Sequence, residues 1–356
     1  MKQTDMLDEL IDQPRLTAWL DENIPALGDG PLNAKLISGG TSNAIIGLNR
    51  GGETLVLRRP PTHKLPGNDK AMAREARVLS ALNQTDVPHP HVYAWSDDQD
   101  VIGATFYVME LVDGWAAQLT DNDCLYPDTF NTPEGLRSLG FALADGLVNL
   151  AGVDYQAVGL EGFGKTERFL ERQVDRWLKQ LASYKETYQY SGRDIPHLNY
   201  VSDWLRANIP DNFTTGIIHG DYGAPNVLMH HDQPARLAAI IDWELSTIGD
   251  PLLDLGWLSF PLCRHGSTEV PAGSYYDSRH FPSREEMIAY YGEQSGRDVS
   301  HADYYLVLAQ FKLAVLVEAK VARAAIGQAS EQVGKFFSKM VLGLIDDAAR
   351  IARQAG

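Results

Sequence analysis

The sequence predicts an α+β chain in which a small antiparallel β-sheet lobe carrying one helix precedes a larger, mainly α-helical lobe. Three observations carry that expectation. Residues 34 to 59, AKLISGGTSNAIIGLNRGGETLVLRR, alternate short apolar runs with Gly-rich turns, the pattern of an antiparallel meander. From about Thr132 onward the apolar residues recur at the spacing of amphipathic helices. At 356 residues the chain exceeds what one hydrophobic core usually supports.

Taken in order, residues 1–33 read as a helical lead-in, followed by strands on either side of Gly39-Gly40-Thr41-Ser42-Asn43. A turn at Arg50-Gly51-Gly52 then feeds ETLVLRR. In DKAMAREARVLSALNQT, Asp69 is placed to cap a helix whose apolar stripe runs through Val78, Leu79 and Leu82. HVYAW and ATFYVMELV complete the sheet. The change of pattern near Val112-Asp113-Gly114 divides the chain into lobes 1–112 and 113–356. Beyond it, helices are expected over 134–151, 167–183 and 197–207, with three more after 283. Brief strands are expected at GIIHGD, NVLMH and LAAIIDW. Tyr304-Tyr305 and the stripe through Leu313, Leu316 and Val317 read as helix core. A cleft between two such lobes is a favoured place for a ligand.

Composition excludes several function classes. Hydrophobic content of 44% and charged content of 22% are those of a globular protein, not a disordered one. The 47 acidic residues outnumber the 31 basic ones, and a net charge of −16 repels nucleic acid and anionic membrane surfaces alike. A polyanionic ligand must therefore be met by metal ions and a few placed cations. Cys124 and Cys263 form no disulfide framework or CxxC site, so a reducing, cytoplasmic setting is expected. Charges at Asp5, Asp8, Glu9, Asp12 and Arg15 break any apolar signal-peptide core, and no uncharged run is long enough to span a membrane.

The chemistry concentrates in HGDYGAPNVLM, residues 219–229. Gly220, Asp221, Gly223, Pro225 and Asn226 are all turn formers, so an ordinary loop is one reading. The functional reading rests on residues 226–242. NVLM, a polar turn and LAAIID look like a hairpin that returns Asp242 toward Asn226. A carboxylate and an amide offer hard oxygen ligands for Mg²⁺, with Asp221 nearby as a base or hydroxyl-orienting group.

HGDYGAPN followed by IIDWE resembles the catalytic segment of the aminoglycoside phosphotransferase family, and more distantly the catalytic and metal-binding loops of protein kinases. The resemblance runs from about residue 34 to at least 260 and keeps the order of the elements. It implies a two-lobed, protein-kinase-like fold with a nucleotide-binding first lobe. Asp221 would be the catalytic aspartate, His219 would buttress the loop, and Asn226 and Asp242 would be the metal ligands. Asp254, in GDPLLDLGW, would tie the loop down from a following helix. Glu110 and Leu111 would offer backbone groups to the adenine edge. VLRRPP and IIDWELSTIGDPLLDLGW look particularly like the kinase-like domains fused to some acyl-CoA dehydrogenases.

The first lobe can be read without that resemblance. Alternation along ETLVLRR puts Val56 and Arg58 on one face and Leu55, Leu57 and Arg59 on the other. That pairing suits a nucleotide-facing strand, with Val56 packing on the base and Arg58 reaching the phosphates; an ordinary edge strand with solvated arginines is the other reading. Glu75 lies near the apolar stripe of its helix, where an unpaired carboxylate is costly, and Arg58 is its candidate partner. The resemblance to protein kinases would put a strand lysine where Arg58 stands; arginine keeps the charge and can contact phosphate through two N–H groups, but is not equivalent to lysine. Gly39, Gly40, Thr41, Ser42 and Asn43 read either as a loop over the phosphates or as a ligand-free hairpin turn.

These readings imply transfer of a γ-phosphoryl group from ATP, or GTP, to the hydroxyl of a small molecule, with Mg²⁺ as cofactor. The acceptor would be an aminoglycoside-like alcohol, or a hydroxy acid or hydroxyacyl compound. Protein substrates are disfavoured because Trp243 and Glu244 stand where kinases carry Phe-Gly, with no long activation segment after them. A catalytically silent nucleotide-binding protein is the non-enzymatic alternative. GLEGFGKT, residues 159–166, matches the P-loop expression G-x-x-x-x-G-K-[ST] and would require a buried strand before it. His89, His91, His230 and His231 lack metal-ligand spacing.

Overall fold

The computed structural model describes residues 7–39, 43–119, 124–211, 213–272, 274 and 278–356. The chain separates into two compact units. The first comprises 1–114 with two later segments, 155–163 and 238–246; the second comprises 115–154, 164–237 and 247–356.

In the first unit, helix α1 (Gln13–Asn23) falls in the predicted lead-in, capped by the Asp12 carboxylate. Strands β1 (Asn33–Gly39), β2 (Ala44–Arg50) and β3 (Glu53–Arg59) follow, then helix α2 (Asn68–Leu82), strand β4 (Val92–Ser96), the single turn α3 (Gln99–Ile102) and strand β5 (Phe106–Glu110). The five strands form one antiparallel sheet in the order β1-β2-β3-β5-β4. Gly51 (φ +62°) and Gly52 (φ +90°) turn β2 into β3 so that Arg50 pairs with Glu53. Two consecutive left-handed residues form the turn whose twist matches an antiparallel hairpin, and glycine adopts them without a Cβ clash.

Strand alternation sorts the sheet's two faces. Ile46, Leu48, Leu55, Leu57, Phe106 and Val108 join Leu16 and Leu20 of α1 in one apolar core. Arg59 shares that buried side and donates to the carbonyls of Leu10, Pro60 and Ile102. Val56 and Arg58 take the opposite face, with Tyr107 directly across from Arg58 in the register of β3 and β5. Asp69 does not cap α2 as expected. Gly67, in a left-handed conformation, stands at the cap position. Asp69 lies inside the first turn, accepting the Thr105 N–H at 2.9 Å and the Lys64 ammonium at 2.7 Å.

The second unit begins with the short strands β6 (Gln118–Leu119) and β7 (Cys124–Leu125). Helix α4 (Pro133–Ala151) is capped by Thr132, whose hydroxyl accepts the Gly135 N–H at 3.0 Å. Helix α5 (Glu171–Thr187) starts later than the sequence predicts, because turns occupy the preceding residues and Arg168 takes φ +51°. Helix α6 (Leu198–Ala207), β8 (Gly216–Ile218), β9 (Val227–Met229), β10 (Leu237–Ile240) and β11 (Thr247–Gly249) come next. They precede α7 (Leu252–Ser259), α8 (Arg284–Ser295), α9 (Ala302–Ala325) and α10 (Glu331–Ala355). Tyr304, Tyr305 and Val317 are buried on α9, whereas Leu313 and Leu316 are only half-buried. No described helix is long and apolar enough to cross a membrane.

Candidate active site

In the first unit, a charged cluster occupies the Val56–Arg58 face of the sheet. Arg58 Nη2 lies 3.3 Å from Glu75 Oε1 and 2.9 Å from Asp242 Oδ1. Glu75 is buried on α2, where the Tyr107 hydroxyl also donates to it. Burial pushes the Glu75 carboxyl up to about 7, against the opposing pull of Arg58. Burial also works against the Arg58 charge, but Tyr107, Glu75 and Asp242 outweigh it and hold the guanidinium firmly protonated. Val56 is buried beside this cluster.

Asp242 reaches Arg58 from a strained position. It follows β10 with φ +65° and ψ +58°, the left-handed region that a non-glycine residue rarely occupies. Such strain costs on the order of 1–3 kcal/mol and tends to survive where a side chain must be aimed. Trp243 holds the kink, its buried indole N–H donating to the Ile240 carbonyl at 2.9 Å. Glu110 closes β5 and accepts the His91 N–H at 3.3 Å, and Leu111 beyond it is half exposed. Gly39 ends β1 and Asn43 precedes β2; Gly40, Thr41 and Ser42 lie outside the described residues.

In the second unit, the HGDYGAPN loop leaves β8 and is held from several sides. β11 returns antiparallel to β8, with Thr247 opposite Ile218, and a turn through Asp250 starts α7. That path seats Asp254 against the loop, where its two carboxylate oxygens accept the His219 N–H at 2.6 Å and the Gly220 N–H at 2.9 Å. Burial raises the Asp254 pKa, while His219, these backbone bonds and Lys312 oppose the rise. His219 is fully buried, and its Nδ1 accepts the Asp221 N–H at 3.3 Å. Asn226 Nδ2 donates to the Asp221 carbonyl at 2.7 Å and to Asp221 Oδ2 at 3.1 Å. Tyr222 anchors the loop to α4 by donating to the Leu143 carbonyl at 2.8 Å.

The structure thus brings together Arg58, Glu75 and Asp242 in one unit, and His219, Asp221, Asn226 and Asp254 in the other. Two members escape sequence reasoning. Tyr107 sits in an apolar strand and carries no local signal. Lys312 has one: it is a lone cation among Leu308, Ala309, Val315 and Leu316 on α9. Its ammonium donates to the Gly220 carbonyl at 2.6 Å.

GLEGFGKT has a different setting from a P-loop. Turns precede it, and no strand lies between α4 and α5. The carbonyls of Gly159 and Glu161 accept from Arg77, and that of Phe163 accepts from Arg74, whose guanidinium also stacks 4.2 Å from the Phe163 ring centroid. Among the described residues, no three His, Cys, Asp or Glu side chains gather as a metal site.

Comparison with known proteins places this arrangement. Acyl-CoA dehydrogenase family member 11 of Gallus gallus is 31% identical over 353 residues, covering 96% of this chain and 44% of that relative. This chain therefore spans less than half the length of that protein. A solved structure from Ralstonia eutropha JMP134, assigned to the aminoglycoside phosphotransferases, superposes with a TM-score of 0.79 at 29% identity, covering 97% of this chain and 99% of that one. The aminoglycoside phosphotransferase APH(4)-Ia, solved with AMP-PNP and hygromycin B, shares the fold at 14% identity and a TM-score of 0.57, over 94% of this chain and 98% of that one. The model of the phosphotransferase enzyme family matches residues 33–287, so the chain belongs to that family and has its protein-kinase-like fold.

Proposed function

We propose that the protein transfers the γ-phosphoryl group of ATP, or GTP, to the hydroxyl of a small molecule. The observation that carries this reading is the restraint on Asp221, whose carboxylate and backbone are both held by Asn226 and whose N–H is held by His219. A fixed carboxylate can orient an acceptor hydroxyl and take its proton as the new P–O bond forms. Arg58, oriented by Glu75 and Asp242, would meet the nucleotide phosphates, with residues 39–43 covering them. Val56 would pack on the base, and the backbone at Glu110 and Leu111 would bond its edge.

The residues fit Mg²⁺, which takes one or two protein oxygens and fills its shell with phosphates and water. Asn226 commits its amide nitrogen to Asp221, which leaves the amide oxygen as a hard donor. Asp242, with its side chain 39% exposed, supplies the carboxylate. Mg²⁺ held by such oxygens would neutralise charge on the transferring group. For the acceptor, a hydroxy acid or hydroxyacyl compound is favoured over an aminosugar, because a relative matching nearly the whole chain is named an acyl-CoA dehydrogenase.

The test is a screen of aminoglycosides, simple alcohols, hydroxy acids and hydroxyacyl thioesters for stimulated ADP or GDP release. Asp221→Asn should lower turnover at least about a hundredfold, the usual weight of a positioned acid or base, with an unchanged melting temperature. Nucleotide binding without turnover on any acceptor would favour the catalytically silent alternative. Wild-type turnover in Asp221→Asn would remove the role given to that residue.

A further inference from the structure

Lys312 lies on α9, distant in sequence from the loop it touches, and is buried. Its ammonium donates to the Gly220 carbonyl at 2.6 Å, while the N–H of the same residue donates to Asp254. Gly220 is therefore gripped at one end by an anion and at the other by a cation. The carbonyl that Lys312 holds belongs to the peptide group joining Gly220 to Asp221. The N–H of that group is the one held by His219 Nδ1. With both polar atoms of the peptide restrained, the peptide plane cannot flip, and the backbone from which the Asp221 side chain projects is held in place.

Two indole rings enclose the cation, with Trp257 at 4.3 Å and Trp177 at 5.8 Å from the ammonium to the ring centroid. The charged groups that act on it are Asp254 of α7, Asp221 of the loop and Arg176 of α5. A lysine excluded from water is expensive to keep unless its charge is used, and a hydrogen bond from a charged donor is worth roughly 1.5–3 kcal/mol. Fixing one backbone carbonyl does not by itself require a charge. Setting that charge near the two carboxylates Asp254 and Asp221 does, because it offsets their negative charge at the loop.

We propose that Lys312 is a positioning residue for Asp221, acting through the Gly220–Asp221 peptide and completing an Asp254–loop–Lys312 clamp. The proposal rests on the phosphotransferase reading only for its kinetic consequence. The clamp itself is a property of the folded loop and can be measured without substrate.

The experiment compares wild type, Lys312→Met, Lys312→Arg and Asp221→Asn. Amide hydrogen exchange over residues 216–226 of the full chain should accelerate at least about tenfold in Lys312→Met, as expected when a local restraint is lost. Lys312→Arg, which keeps a charged donor, should recover most of the protection. In turnover, Lys312→Met should lower kcat about 10- to 100-fold, the cost of misplacing a reacting group by about 1 Å, with the nucleotide KM within about threefold of wild type. Should the methionine variant fail to fold, Lys312→Leu, which likewise removes both donor and charge, takes its place in both measurements. Unchanged exchange in a folded Met or Leu variant overturns the clamp. Wild-type kcat in that variant, beside an inactive Asp221→Asn, overturns the positioning role alone. A wild type that transfers no phosphoryl group overturns the phosphotransferase reading, and the exchange data still judge the clamp.

Discussion

Burial gives Lys312 a pH signature as well as a contact. Loss of water pushes its pKa from the ordinary 10.5 down to about 8, against the opposing pull of Asp254 and Asp221. Between those two values the unfolded chain holds a proton that the native state has released. The Lys312 contribution to stability is therefore smallest below about 8 and grows as pH rises toward 10.5. Its effect on the loop runs the other way, because the neutral amine no longer offsets Asp221 and Asp254. From about pH 7.5 to about 9.5, wild type should gain stability relative to Lys312→Met in denaturant titrations while its kcat falls. A stability difference that is flat with pH would mean the lysine keeps its proton throughout. Arg58 shows the same economy at the other cluster. One guanidinium serves two carboxylates, and the buried Glu75 would be left uncompensated without it.

Single elements carry the loop's position. β11 is short, yet its pairing with β8 and the turn through Asp250 deliver Asp254 to two successive backbone N–H groups. Helix α4 contributes at a different point. Tyr222, next to Asp221, lays its hydroxyl on the Leu143 carbonyl and passes over Gly146, where an added Cβ would collide with the phenol oxygen and with Leu237. Leu237 is only half-buried, but the phenol is buried and hydrogen-bonded, so it cannot swing clear of an added methyl. Gly146→Ala should cost roughly 1–3 kcal/mol in urea denaturation, the usual cost of overpacking a core. It should also lower kcat more than it raises the acceptor KM, since Tyr222 must shift and Asp221 follows it. Unaltered turnover in a destabilised Gly146→Ala would show that the loop does not depend on its α4 anchor.

Across the whole molecule, chain order and spatial grouping part company. Residues 155–163 and 238–246 belong to the first unit although the residues on either side of them in sequence belong to the second. They bring the carbonyls that accept from Arg74 and Arg77, the Ile240 N–H that reaches the Pro88 carbonyl, and the Asp242 partner of Arg58. A fragment of residues 1–114 would leave Arg74, Arg77 and the Pro88 carbonyl without these partners and the Arg58–Glu75 pair without its third member. It should unfold without a sharp transition by circular dichroism. A cooperative melt at the full-length temperature would show that the sheet and its helices suffice.

Much of the fold is legible in the sequence because its signals are local. The period of two along ETLVLRR places Val56 and Arg58 opposite Leu57, the Gly51-Gly52 pair marks a hairpin, and the inward tilt of Glu75 demands a cation. The errors are local too: Asp69 looks like a cap because nothing nearby announces Lys64 and Thr105 as its partners. Local pattern suffices for the elements, their order and the residues able to do chemistry, since each depends on a residue and its near neighbours. Three-dimensional packing was needed to establish that Arg58 also meets Asp242, that Tyr107 supports Glu75 and that Lys312 grips Gly220. Those contacts join residues dozens to hundreds of positions apart, and a pairing across such a distance is settled by how whole elements pack, which no short stretch of chain encodes.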